Sequence, residues 1–308
     1  MIYALGAFDG FHLGHRRLLD KAREEAEAKG CGWGVITFEG HPRMLLNRNS
    51  FKLLFTPPER DLIARFLGVK DIEKIRFSND FAALSPREFV DYIGRRCSVN
   101  GLVIGENFRF GRRRSGDPAM LAKLAAERGW TLDVLPSYKI DGCVVSSTET
   151  RRAVEGGDME FASRLLGYPF IISGRVIPGD ARGRDLGFRT ANIALKPGKT
   201  YPPEGVYAAL SYIEGSWRTV ALNIGSNPTF GYTERAPLCE GHVIGYNGEL
   251  YNSTLFMFLI KRLRGERKFA GADELVKQIN ADTAECVKIC DEYKAANSKM
   301  LEKFAEVL

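Results

Sequence analysis

The sequence predicts a parallel α/β domain followed by a small antiparallel β-domain with closing helices. Over the first 150 residues, short apolar runs alternate with amphipathic stretches of helical period, the pattern of βαβ units in a doubly wound sheet. After about residue 167, strand-like runs follow one another across turns without intervening helices, which predicts an antiparallel sheet or small barrel. The length of 308 residues also exceeds the ~100–200 residues of one ordinary core, so two domains are expected, 1–166 and 167–308.

In chain order, residues 2–7 (IYALGA), 33–38 (WGVITF), 72–77, 101–105 (GLVIG) and 131–135 (TLDVL) read as strands. Helical patterns lie between them at 14–29, 57–67, 85–96 and 117–128. Two helix starts are well marked: Ser85-Pro86-Arg87-Glu88 is a capping box with proline at the first helical position, and Asp117-Pro118 repeats the order of cap then proline. Helices at 148–156 and 158–166 join the two halves. Strands then follow at 170–177, 206–213, 217–224, 239–246 and 249–261, separated by Pro-Gly, Gly-Ser, Asn-Pro and Asn-Gly. Residues 272–306 read as one or two closing helices.

Composition narrows the function. With 44% apolar and 27% charged residues, 32 Gly and 13 Pro, collagen-like, low-complexity and disordered classes are excluded. The net charge of +6 suits anionic substrates, whereas a dedicated nucleic-acid binder concentrates more. The longest apolar run, Leu255 to Ile260, is about a third of a membrane span, and His12, His15, Arg16 and Arg17 interrupt the first 20 residues. Neither a membrane span nor a signal peptide is expected, and the location expected is cytoplasmic. Six scattered cysteines without a CxxC pair read as reduced thiols; Cys286 and Cys290 stand one helical turn apart but lack further ligands.

The strongest local feature is GAFDGFHLGH, residues 6–15, which leaves strand one and opens the first helix. Ligands of such sheets bind beyond the carboxyl ends of the strands, and a helix N-terminus offers free N–H groups to a phosphate. Gly6, Gly10 and Gly14 let the backbone come close, with Phe8 and Asp9 between them. His12 and His15 can each donate a hydrogen bond, or a charge if protonated, to phosphate oxygens. Two of the four histidines in the chain fall in this window, which favours a site over a mere capping loop. A zinc site from Asp9, His12, His15 and His41 lacks anything that fixes the four at one point. Further on, VSSTETR (145–151) places hydroxyls at a helix start and Arg151 one turn in. Ser147 or Thr148 caps that helix, or holds the distal phosphates of a nucleoside triphosphate. Arg112, Arg113 and Arg114 form a loop that is either solvated or a lid.

HxGH followed by SSTxxR resembles the nucleotidyltransferase superfamily. The segments TFEGHP (37–42), VIGENFRFGRRRSGD (103–117), SGRVIPGDARGRDLGFRTANI (173–193), EGVYA (204–208), NIGSNPTFG (223–231), CEGH (239–242), LRGERKF (263–269) and ELVKQINAD (274–282) narrow the likeness. In this order they resemble the bacterial bifunctional riboflavin kinase/FMN adenylyltransferases, from residue 2 to about 285. The resemblance implies a Rossmann-like N-terminal nucleotidyltransferase module that joins FMN to the AMP of ATP and releases pyrophosphate. It implies a six-stranded C-terminal barrel that phosphorylates riboflavin with ATP and Mg²⁺.

By the same match, His12 and His15 contact the ATP phosphates, and Ser147, Thr148 and Arg151 hold the triphosphate. His41, Pro42, Asn107 and Arg109 lie on the nucleotide and flavin side. In the kinase module, Thr190 and Asn192 match the metal-binding Thr-x-Asn, Gly174, Gly179, Arg182 and Gly183 match the phosphate loop, Glu240 matches the general base, and Arg264 matches the flavin-side wall. A positioned carboxylate suits an attacking hydroxyl that loses its proton, and Thr190 supplies the hard oxygen that Mg²⁺ prefers. The sequence departs from the family at Glu39-Gly40, usually Asp-Pro, and at Arg189, usually Pro. Both activities are expected because Thr190, Asn192 and Glu240 are all present; the alternative is an adenylyltransferase with a weak or inactive kinase module. The partners expected are riboflavin, FMN and ATP, with no nucleic acid or membrane, in a monomer or weak homo-oligomer.

Overall fold

The computed structural model of the chain describes residues 1–39, 51–178, 188, 190–225 and 237–308. They form two compact units, Met1–Lys52 with Ile63–Ser147, and Leu53–Leu62 with Thr148–Leu308.

The elements of the first half are β1 (Ile2–Leu5), α1 (Leu13–Ala28), β2 (Trp33–Glu39), α2 (Pro57–Phe66), β3 (Ile72–Arg76), α3 (Asn79–Ala83), α4 (Pro86–Arg96), β4 (Gly101–Gly105), α5 (Pro118–Ala126), β5 (Thr131–Leu135), β6 (Lys139–Ile140) and β7 (Cys143–Val144). The first five strands pair in parallel in the order β3-β2-β1-β4-β5. Ala4 in β1 lies between Val35 and Val103, and β1, β2 and β4 are buried throughout their centres, as parallel strands covered on both faces must be. Tyr3, Leu5, Ile36, Leu102 and Ile104 meet Phe81, Phe89 and Ile93 from the helices in one buried cluster. The strand order reverses between β1 and β4, so the segments leaving these two strands part around a crevice.

The capping box holds α4 as expected: Ser85 and Glu88 exchange side chain-to-backbone hydrogen bonds, and Asp117 accepts from the Met120 amide (2.8 Å) to start α5. Strand β1 stops at Leu5 rather than running to residue 7, because Phe8 and Gly10 take positive φ values that end any ladder. Helix α3 and the β6–β7 hairpin are additional. A five-residue helix capped by Ser78 and strands of two residues are too short to show a period.

The second half contains α6 (Ser147–Gly156), α7 (Met159–Leu166), β8 (Phe170–Ile177), β9 (Ala191–Ala194), β10 (Gly205–Ile213), β11 (Ser216–Gly225), β12 (Leu238–Val243), β13 (Thr254–Arg264), α8 (Ala272–Ala296) and α9 (Ser298–Ala305). Six strands close into an antiparallel barrel in the order β10-β11-β12-β9-β8-β13, the predicted class and strand number. Glu214 and Gly215, both at positive φ, make the two-residue turn between β10 and β11 that matches strand twist. Strand β13 begins at Thr254 instead of 249 because Asn252 turns at φ 65°, and β12 ends at Val243 before Gly245 turns at φ 70°. Helix α8 covers β10: the Cys286 and Cys290 thiols donate to the carbonyls of Tyr207 and Ala209, and burial pushes both thiols up to about 12. Both thiols therefore stay protonated near pH 7 and serve the packing of α8 on the barrel.

One buried ion pair stands out in this unit. Lys199 Nζ donates to Glu59 Oε2 (2.6 Å) and to the carbonyls of Leu54 (2.7 Å) and Ile171 (2.9 Å), with the Phe55 and Phe170 rings each 4.6 Å away. Glu59 also accepts from the Thr56 amide and from the amide and hydroxyl of Ser173. Every donor of the ammonium is used, which is what burying such a charge requires. Among the described residues, no helix is long and apolar enough to cross a membrane.

Candidate active sites

The segment leaving β1 is held from three sides. The Gly6 amide donates to Ile36 O (3.1 Å), Thr37 Oγ1 to Ala7 O (3.0 Å), and Ser147 Oγ to Asp9 O (2.6 Å). Phe8 and Phe11, at φ 46° and 40°, are buried and stack on each other at 5.4 Å. Bulky residues rarely adopt such φ values, and strain of this kind concentrates at functional loops. Gly10, at φ 101°, occupies a region that glycine alone adopts readily. A Cβ on Gly14 would stand 3.2 Å from the His12 ring and 3.4 Å from Val145 O, so the glycine makes room for the imidazole.

His12 is the N-cap of α1, and its Nδ1 accepts the His15 amide (3.2 Å). The two imidazoles stack at 3.7 Å, 14° from parallel, and Phe8 lies 5.0 Å from His15. Burial lowers the His12 pKa to about 4, so its ring is neutral near pH 7. With Nδ1 accepting, the proton sits on Nε2, which leaves a neutral N–H donor at the start of a sixteen-residue helix. His12 therefore offers a hydrogen bond and not the full charge that the sequence left open. Asp9 is buried beside it.

At the end of β4, Asn107 Nδ2 donates to Ser137 Oγ (3.0 Å), and Glu106 accepts from the Ser137 amide and hydroxyl, which holds Glu106 below the usual carboxylate range. Arg109 folds back to donate to the carbonyls of Glu106 and Phe108. Arg112, Arg113 and Arg114 form an exposed 3₁₀ turn. Thr148 and Arg151 follow Ser147 on α6 and belong to the second unit. His41, Pro42, Gly179, Arg182, Gly183 and Arg189 lie outside the described residues.

The barrel carries a cleft of about 610 Å³, lined by Thr190, Glu240, Arg264, Asn223, Phe269 and Asp282 among others. Three of the expected kinase residues thus share one cavity. Asn192 is the register partner of Glu240 across β9 and β12, and Asn223 is its partner across β11, so the carboxylate has an amide directly opposite on either side. Gly174 lies inside β8 rather than in a loop; a Cβ there would come within 2.5 Å of Ala194 O, so its smallness serves the close approach of β9. Arg264 ends β13 with its guanidinium on Asp282.

Asn223, His242, Phe269 and Asp282 also line the cleft and had not been singled out. Asp282 had a legible signal, since Leu275, Ile279, Asp282, Cys286 and Cys290 follow helical spacing and place one carboxylate in an otherwise apolar stripe. Asn223 and Phe269 carried no signal of their own, because each reaches the cleft only once the barrel closes.

The FAD synthetase family model matches residues 1–149 and the riboflavin kinase family model residues 166–290. The chain is 38% identical over 293 residues to the bifunctional riboflavin kinase/FMN adenylyltransferase of Bacillus subtilis, covering 93% of this chain and 92% of that protein. The Escherichia coli K12 protein of the same name is 36% identical over 287 residues, covering 91% and 90%. A crystal structure described as a macrolide-efflux protein from Streptococcus pneumoniae superposes with a TM-score of 0.84 at 28% identity, covering 92% of each chain. With both modules matched in order over almost the whole length, the chain belongs to the bifunctional riboflavin kinase/FMN adenylyltransferase family, which phosphorylates riboflavin to FMN and adenylates FMN to FAD with ATP.

Proposed function

We propose that the segment leaving β1 performs adenylyl transfer through positioned donors and no covalent step. The His12 Nε2–H and the free amides at the start of α1 meet the phosphates of ATP, and His15 assists from the stacked ring. Gly6, Phe8, Asp9, Gly10 and Gly14 shape that cradle, and Ser147 locks it by holding the Asp9 carbonyl. Thr148 and Arg151 take the distal phosphates, while His41, Pro42, Asn107 and Arg109 serve the nucleotide and flavin side. FMN phosphate then attacks the α-phosphorus and pyrophosphate leaves.

In the barrel, Glu240 accepts the proton of the riboflavin hydroxyl as that oxygen attacks the γ-phosphorus. The observation that carries this reading is the alignment of Glu240 between Asn192 and Asn223, in a cleft shared with Thr190 and Arg264. Uncharged oxygen donors beside a carboxylate fit Mg²⁺, which keeps waters and substrate phosphates as most of its ligands. Thr190 and Asn192 would hold it, and bound there it neutralises developing phosphate charge. Gly179, Arg182 and Gly183 border the phosphates, Gly174 serves the packing of β8 on β9, and Arg264 forms the flavin-side wall. We place the division of the modules between residues 166 and 167; the FAD synthetase family model ends at residue 149 and the riboflavin kinase family model begins at residue 166. We assign small-molecule partners only, a cytoplasmic location, and a monomer or weak homo-oligomer.

The test is to incubate the pure protein with riboflavin, ATP and Mg²⁺ and to resolve FMN from FAD. The Glu240→Gln variant should lose FMN formation by about 10²–10⁴-fold while converting supplied FMN normally. Unchanged FMN formation would remove the base assignment.

A further inference from the structure

Arg264 is fixed to an unusual degree for a side chain on a cleft wall. Its Nε donates to both oxygens of Asp282 (3.1 Å each), its Nη2 to Asp282 Oδ2 (2.7 Å), and its Nη1 to Gly265 O (3.0 Å). Asp282 is buried at 6% exposure, and Gln278 Nε2 donates to Oδ1 (2.8 Å), so both carboxylate oxygens are occupied. A carboxylate in an apolar helical stripe is costly unless such partners hold it, and apolar packing would serve stability at least as well. Its presence therefore asks for a purpose. The guanidinium also lies over the Phe269 ring (5.8 Å), which Arg267 covers at 4.8 Å, and Arg267 is in turn paired with Glu274 of α8. Helix α8 thus sets two arginines and one aromatic ring of the cleft wall through two carboxylates.

We propose that Asp282 is a positioning residue for flavin binding in the kinase cleft. It neutralises Arg264 and fixes the plane of its guanidinium, so that the wall formed with Phe269 is prearranged for a flat, uncharged ring system. Asp282 acts through Arg264 and makes no contact of its own with the reacting atoms. The inference rests on the reading of this cleft as the riboflavin site.

The experiment measures steady-state riboflavin phosphorylation by the full chain for wild type, Asp282→Asn, Asp282→Glu, Arg264→Lys and the double variant Asp282→Asn/Arg264→Lys. Asp282→Asn should raise KM for riboflavin roughly tenfold with kcat within about twofold, because prearranged binding is lost while the chemistry at Glu240 is not. The double variant should be no worse than Arg264→Lys alone, and Asp282→Glu should recover part of the loss. Conversion of supplied FMN to FAD, and the thermal transition, report whether each variant is folded. Independent, additive effects of the two substitutions, or an unchanged KM, would overturn the proposal. Should Asp282→Asn fail to fold, the Asp282→Glu and Arg264→Lys cycle decides by the same criterion. A wild-type protein that leaves riboflavin unphosphorylated would instead sink the reading of the cleft.

Discussion

His12 owes its chemistry to burial. Free histidine titrates near 6.5, but the folded ring is held to about 4, so between these values the unfolded chain binds a proton that the folded chain refuses. Stability therefore falls as pH drops through 6.5 towards 4, by on the order of 2–3 kcal/mol from this group. Equilibrium denaturation at pH 7 and pH 4.5 should show the loss, and His12→Asn should flatten it. Adenylyl transfer, by contrast, should show no acid limb near 6.5 that belongs to residue 12. The HxGH pair was legible because two of four histidines crowd one short window beside three glycines. Glu240 was legible only through the family resemblance, since a carboxylate on a half-exposed strand looks like any other until β9 and β11 bring amides to either side of it. Asp282 falls between these cases: its place in an apolar stripe could be read, its partner Arg264 could not.

At the scale of elements, strands 101–105 and 131–135 and the starts of α4 and α5 could be read to the residue, because apolar runs and caps are local signals. Strand β9 could not: four residues beside a turn have no period, and it is the neighbours that make them a strand. The turn into α1 depends on Gly14, where an added methyl meets the His12 ring. Gly14→Ala should lower adenylyl transfer at least ~10-fold by displacing that donor, with riboflavin phosphorylation unchanged, measured on the same preparation. The Glu59–Lys199 pair makes a stability prediction within the second unit. Glu59→Gln leaves a fully buried ammonium uncompensated and should cost about 3–5 kcal/mol in denaturant unfolding, whereas Glu59→Gln with Lys199→Met should cost less than Glu59→Gln alone.

For the whole molecule, the two chemistries sit on architectures that solve different problems. A parallel sheet offers a strand-order switch and a helix N-terminus, which suit a polyphosphate; a closed barrel offers adjacent strands whose register aligns a carboxylate with amide oxygens. The class of both halves was legible from periodicity, because alternation and its loss survive any error in element ends. Closure of the barrel was legible only through the family resemblance, since no local residue pattern states that β13 returns to β10. If the sites are chemically separate, a mixture of His12→Asn and Glu240→Gln proteins should make FAD from riboflavin although neither does so alone. The most direct measurement is the product formed by His12→Asn from riboflavin, ATP and Mg²⁺. FMN should accumulate at the wild-type rate with FAD formation reduced by about 10²–10³-fold; FAD at the wild-type rate, or loss of FMN together with FAD, would contradict the account.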